Sequence, residues 1–193
     1  MRILGIDPGL RFTGYGLVEL PTPRTSAAAV ASGGGGASGG ASGGASGGAS
    51  GGAKLLEAGV IKLNPKRSLE DRLVDLDRDL RELLERLKPQ RVAVEKLYSH
   101  YAHPRTAILM GHARGVILCA ARRTGAELVD WPSTEVKKSL TGHGHASKAQ
   151  VQDAVAAQLG LAEPPSPPDV ADAIAIAWCD AQRRRFDPVP ATT

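Results

Sequence analysis

Apolar positions alternate in short runs at the start of the chain and then recur at helical spacing. Residues 2–6, Arg-Ile-Leu-Gly-Ile, followed by Asp7-Pro8-Gly9, read as a strand ending in a turn. Residues 13–20 read as a second strand, loosened by Gly14 and Gly16, and Leu55–Leu63 as a third that Asn64-Pro65 breaks. The period then changes. Leu69, Leu73, Leu76, Leu80, Leu83 and Leu87 alternate steps of four and three, which aligns them on one helical stripe. Ser68 with Asp71 resembles a capping box at its start. The run is too short for a sustained coiled-coil seam, so its stripe is expected to pack on a sheet.

Arg91-Val-Ala-Val-Glu95 reads as a short buried strand, Pro104–Arg123 as a second helix and Glu127–Trp131 as a fifth strand. Helices follow near Thr134–Leu140, Ser147–Leu159 and Asp169–Arg184. A three-strand meander followed by alternating helices and strands predicts an α/β fold, a five-stranded mixed sheet flanked by helices. The helical crossover can make strand 91–95 a parallel neighbour of the first strand.

Ala31–Ala53 interrupts this pattern with Gly-Gly-Ala-Ser repeats holding 12 of the chain's 23 glycines and no charged, aromatic or large aliphatic side chain. Such a segment buries too little to offset its ordering entropy, so it reads as a disordered insertion between two strands. A phosphate-binding loop needs a few glycines at fixed offsets opening a helix, and a simple repeat does not supply that. The expected organisation is one domain over residues 1–186, interrupted at 31–53, with a flexible tail at 187–193.

The net charge of +4 understates the basic surface. Residues 68–88 hold seven acidic and five basic side chains, leaving 19 basic against 13 acidic elsewhere. A basic balance of this kind favours a polyanionic partner without requiring one. Cys119 and Cys179 lie in apolar helical runs without metal spacing and read as buried free thiols, consistent with a reducing compartment. Nothing resembles a signal peptide or a membrane span, so a soluble cytoplasmic protein with no membrane partner is expected.

Four carboxylates carry the candidate chemistry. Asp7 and Glu95 each end an apolar strand, where an unneutralised charge is costly. Ile3, Gly5 and Asp7 face one way and Leu4 and Ile6 the other, and Glu95 likewise opposes Val92 and Val94. Asp169 and Asp172 stand three apart at the start of an Ala/Ile-rich helix whose beginning Pro167-Pro168 fixes, so both project to one side. Taken singly, Asp7 could form a turn, Glu95 could be an edge charge, and the other two could be first-turn acids favoured by the helix dipole. Together at the rim of one sheet they make a site for two hard cations with oxygen ligands.

The segments Ile3-Leu-Gly-Ile-Asp-Pro-Gly-Leu-Arg-Phe-Thr-Gly-Tyr-Gly16, Val94-Glu95, Gly111-His-Ala-Arg-Gly115, Ser147-Lys-Ala-Gln-Val-Gln152 and Asp169-Val-Ala-Asp-Ala-Ile-Ala-Ile-Ala177 resemble, in this order, the RuvC family of Holliday-junction resolvases. The resemblance spans nearly the whole chain apart from residues 21–53 and the tail. It implies a ribonuclease H-like fold and paired nicks in four-way junction DNA leaving 5′ phosphates. It also implies a homodimer and a RuvA–RuvB branch-migration partner. Asp7, Glu95, Asp169 and Asp172 fall on the family's four catalytic acids, which use two Mg²⁺ ions that Mn²⁺ can replace. Tyr98 matches an aromatic that wedges into the junction, although it could equally pack on its own rim. Lys137 and Lys148 align with lysines near the scissile phosphate, Lys148 as a catalytic group, where the plainer reading is solvated surface. Arg114, with Arg122 and Arg123 on the same helix, reads as a DNA contact or as a solvated face. The chief departure from the family is the Gly-Gly-Ala-Ser insertion.

His143 and His145, and His100 with His103, lack zinc-site spacing and are expected to touch DNA rather than catalyse. Ile108, Gly111 and Gly115 share one side of their helix, which suits close packing against a symmetry mate or within the chain. Three rivals compete: an RNA-processing relative of the YqgF group, an actin-like nucleotide-binding protein, and a non-catalytic DNA binder. The Asp169–Asp172 helix and the Lys148 region argue against the first. The chain length leaves no room for the duplicated domain of the second, and four carboxylates facing a polyanion argue against the third.

Overall fold

Strand β1 (Arg2–Asp7) is the middle strand of a five-stranded mixed sheet. The computed structural model describes residues 1–21, 52–97 and 104–186. β1 pairs antiparallel with β2 (Phe12–Glu19), which pairs antiparallel with β3 (Lys54–Lys62). Helix α1 (Leu69–Leu87) then crosses over so that β4 (Arg91–Glu95) runs parallel beside β1. Helix α2 (Pro104–Arg123) makes the next crossover to β5 (Glu127–Trp131), parallel to β4. Three helices complete the described chain: α3 (Ser133–Thr141), α4 (Lys148–Leu159) and α5 (Pro168–Phe186).

Strand alternation divides the core in two. Leu4, Ile6, Leu17, Val92 and Val94 pack with the leucine stripe of α1 and with Ile117 of α2. Ile3, Val18 and Ala93 pack on the opposite face against α5, which α3 and α4 cover in turn. The period-2 rule therefore sends Asp7 and Glu95 to the α5 face, each following residues of that face. Both α1 and α4 begin as expected: Ser68 accepts from the Asp71 amide, and Ser147 forms a reciprocal capping box with Gln150.

Two readings need correction. Gly14 and Gly16 do not loosen β2; they let α5 lie almost on its backbone. A Cβ on Gly16 would stand 2.9 Å from the Ile174 Cα, and one on Gly5 would stand 2.6 Å from the Ala177 amide nitrogen. Cys179 is buried, but Cys119 is exposed, because it lies on the outer side of α2. Its helix is mostly small and apolar, and without amphipathic contrast the inward side could not be chosen from sequence. The Gly-Gly-Ala-Ser repeat, apart from Gly52 and Ala53, and the tail at 187–193 lie outside the described residues.

Candidate active site

The turn after β1 is held from several directions. The buried Thr13 hydroxyl donates to the Gly9 carbonyl at 2.6 Å and accepts from the Gly9 amide at 3.4 Å. Arg72 of α1 donates to the Leu10 carbonyl, and the Leu63 amide donates to the Arg11 carbonyl at 3.1 Å. Pro168 occupies the first turn of α5, where its fixed φ suits a helix start. Asp169 and Asp172 follow one turn apart.

Asp7, Glu95, Asp169 and Asp172 line one cavity of about 480 Å³ together with Lys137, Lys148 and the turn residues Pro8–Phe12. Burial pushes the Asp7 carboxyl well above the usual carboxylate range, and the charges of Glu95, Asp172 and Asp169 push it further. A hydrogen bond between the Asp7 and Glu95 carboxyls adds to the effect. Burial raises Glu95 as well, opposed by that hydrogen bond, by Lys137 and by Ser133. Asp172 is raised by burial and by Asp169, against the pull of Lys148 and Lys137.

Mutual repulsion of this kind is relieved by cations, and the donor set, all carboxylate oxygen, suits hard divalent ions. Among the described residues, no trio of His, Cys, Asp and Glu closes around a single coordination point.

Of the residues that the sequence singled out, the structure brings together the four carboxylates, Lys137 and Lys148. Arg114 stands apart: its Nε donates to the Glu95 carbonyl at 3.1 Å and its guanidinium pairs with Asp130. Tyr98, His100, Tyr101 and His103 lie outside the described residues. His143 and His145 are exposed in the loop between α3 and α4, and neither lines the cavity. Arg11, Phe12, Met110 and Ser133 line the cavity without having been singled out. Arg11 sits within the Asp7–Gly16 motif, but nothing in the sequence says that the turn folds it toward the carboxylates.

A ribonuclease H-like sheet carrying four carboxylates at one rim defines a metal-dependent nuclease. The sequence model described as "Crossover junction endodeoxyribonuclease RuvC" matches residues 43–180, more than half of the chain. The chain belongs to the RuvC family. A relative of that description from Rhodopirellula baltica is 42% identical over 92% of this chain and 84% of its own length. One from Moorella thermoacetica is 39% identical over 94% of this chain and 91% of its own length. The solved Thermus thermophilus RuvC in complex with Holliday junction substrate superposes with a TM-score of 0.75 at 31% identity, covering 96% of both chains.

Proposed function

We propose that this chain is a Holliday-junction resolvase that nicks two strands of a four-way DNA junction symmetrically, leaving 5′ phosphates. The observation that carries the reading is the single cavity in which four carboxylates and two lysines face one another. Family membership narrows that chemistry to junction DNA. The working unit is one domain over residues 1–186.

Asp7, Glu95, Asp169 and Asp172 hold two divalent cations, Mg²⁺ by preference and Mn²⁺ in its place. When bound there, such a pair would supply an activated water and offset charge on the 3′ leaving oxygen. The chain's own residues do the rest. Lys148 faces the scissile phosphate as charge develops on it, and Lys137 reinforces it from α3. The capped start of α4 directs its first amides the same way. Arg114 fixes the Glu95 backbone and, from its exposed edge, reaches DNA backbone. Tyr98, the first residue beyond the described segment after β4, stacks on an unpaired base at the junction centre.

Two copies make the paired nicks. A Cβ added at Gly111 or Gly115 of α2 would meet nothing within 4 Å outside its own helix backbone, and Ile108 of the same face is 62% exposed, which supports a two-fold contact there. The partners are junction DNA and a RuvA–RuvB branch-migration complex in the cytoplasm. No helix among the described residues is long and apolar enough to cross a membrane.

Incubation with Mg²⁺ and labelled four-way junction, linear duplex, RNA or ATP tests the reading. Paired nicks in the junction alone are expected. Equal cutting of linear duplex, or turnover of RNA or ATP with an intact junction, would overturn it.

A further inference from the structure

Most arginines of this protein are engaged with carboxylates. Arg2, Arg67, Arg78, Arg81, Arg86, Arg91, Arg114, Arg123, Arg183 and Arg184 all form ion pairs, and Arg72 is bound to a carbonyl. Arg11 is different. It is exposed, forms no ion pair among the described residues, and lines the carboxylate cavity.

The turn that carries Arg11 is fixed at three successive carbonyls: Gly9 by Thr13, Leu10 by Arg72 and Arg11 by Leu63. The guanidinium lies over the Phe12 ring, 5.3 Å from its centroid, which orients it without neutralising it. A cation held at its base, stacked at its tip and left without an anion is preorganised for an anion from outside. Beside a cavity that cuts phosphodiesters, a planar fork of donors matches a phosphate of the DNA backbone.

Resting on the nuclease reading, we propose that Arg11 binds a backbone phosphate next to the scissile one. It does so from the β1–β2 turn, in the cavity that Lys137 and Lys148 also line. The turn after Asp7 then has two functions: it ends the strand that carries a metal-binding acid, and it sets the register of the DNA strand on that acid.

The test measures junction binding by fluorescence anisotropy without divalent cation, so that no strand is cut, over a series of salt concentrations. Arg11→Gln is compared with the unsubstituted protein and with Arg122→Gln. Arg122 is also exposed and without an ion pair among the described residues, but it does not line the cavity. Losing one phosphate contact should reduce the slope of log affinity against log salt by about 0.9 in Arg11→Gln only. The melting temperature should not move, because the side chain is exposed. An unchanged slope in Arg11→Gln, or an equal fall in Arg122→Gln, would overturn the assignment and leave the nuclease reading standing. Failure of the unsubstituted protein to bind the junction would overturn both.

Discussion

Gly14 is the sheet partner of Asp7, and the Asp169 carbonyl occupies the space that a side chain on Gly14 would need. A Cβ there would stand 2.6 Å from the Asp169 carbonyl carbon and closer still to its oxygen. One residue without a side chain thus sets how far the helix-borne carboxylates stand from the strand-borne ones.

Gly14→Ala must therefore displace backbone rather than a flexible side-chain tip. Overpacking of this kind costs about 1–3 kcal/mol, and here the start of α5 should move away from β1. Divalent-cation binding should weaken along with stability. The check is the rise in melting temperature on adding Mg²⁺, compared with the unsubstituted protein. An undiminished rise would mean that Gly14 does not set the carboxylate spacing.

Asp7→Asn should abolish cleavage while leaving junction binding intact or stronger, because a charge that repels phosphate is removed. It should also change how metal-free stability depends on pH. The folded-state pKa of Asp7 lies above its unfolded value, so its contribution to stability is complete below the unfolded value. That contribution is lost as pH rises through the elevated folded value. The melting temperature of Asp7→Asn relative to the unsubstituted protein should thus climb from mild acid toward neutrality. A difference flat with pH, or normal turnover by the folded variant, would sink the assignment.

The sequence made the site legible where a carboxylate broke an apolar rule. Asp7 and Glu95 stand out because strands that alternate cleanly end on a charge, and the same alternation puts both on the α5 face. Asp169 and Asp172 needed only helical spacing and a proline start. Gly14 was misread because a glycine in a strand signals either weakness or close approach, and only the position of α5 separates the two. Arg11 was passed over for a related reason: its direction depends on a turn fixed by Thr13, Arg72 and Leu63, one of which is more than 60 residues away in sequence. Cys119 was placed on the wrong side of a helix with little amphipathic contrast.

Shortening the Gly-Gly-Ala-Ser insertion should change little. β2 and β3 are paired as far as Glu19 and Lys54, so the sheet already holds the ends of the connection. Closure entropy varies with the logarithm of loop length, so roughly halving the connection between β2 and β3 should shift stability by only about 0.6 kcal/mol. Deleting Gly33–Gly52 should leave the melting temperature and single-turnover nicking rate close to those of the full chain. A large loss of either would reveal a structural or catalytic contribution from the repeat.

Asp180 tests whether the far end of α5 can be disturbed without touching the chemistry. Its fully buried carboxylate accepts from Arg91 Nε at 2.5 Å, from Arg91 Nη2 at 3.0 Å and from Trp131 Nε1 at 3.1 Å. Arg91 opens β4 while Glu95 closes it, and Asp180 lies eight residues beyond Asp172, about 12 Å along the helix. The ion pair therefore pins α5 to the sheet at the end away from the cavity. Asp180→Ala should cost about 3–5 kcal/mol, because it leaves a buried guanidinium without its main counter-charge. Replacing both partners, as Asp180→Leu with Arg91→Met, should recover most of the loss, since a well-packed apolar pair needs no compensation. The recovery should stop short of complete, because Trp131 still lacks its acceptor. At saturating Mg²⁺ and a temperature where every variant is folded, the nicking rate should match that of the unsubstituted protein. Thermal melts of the three proteins with single-turnover rates decide the matter. A double variant as unstable as Asp180→Ala would show that the cost comes from packing rather than from an uncompensated charge, and a lowered nicking rate in a fully folded variant would show that the pin reaches the active site.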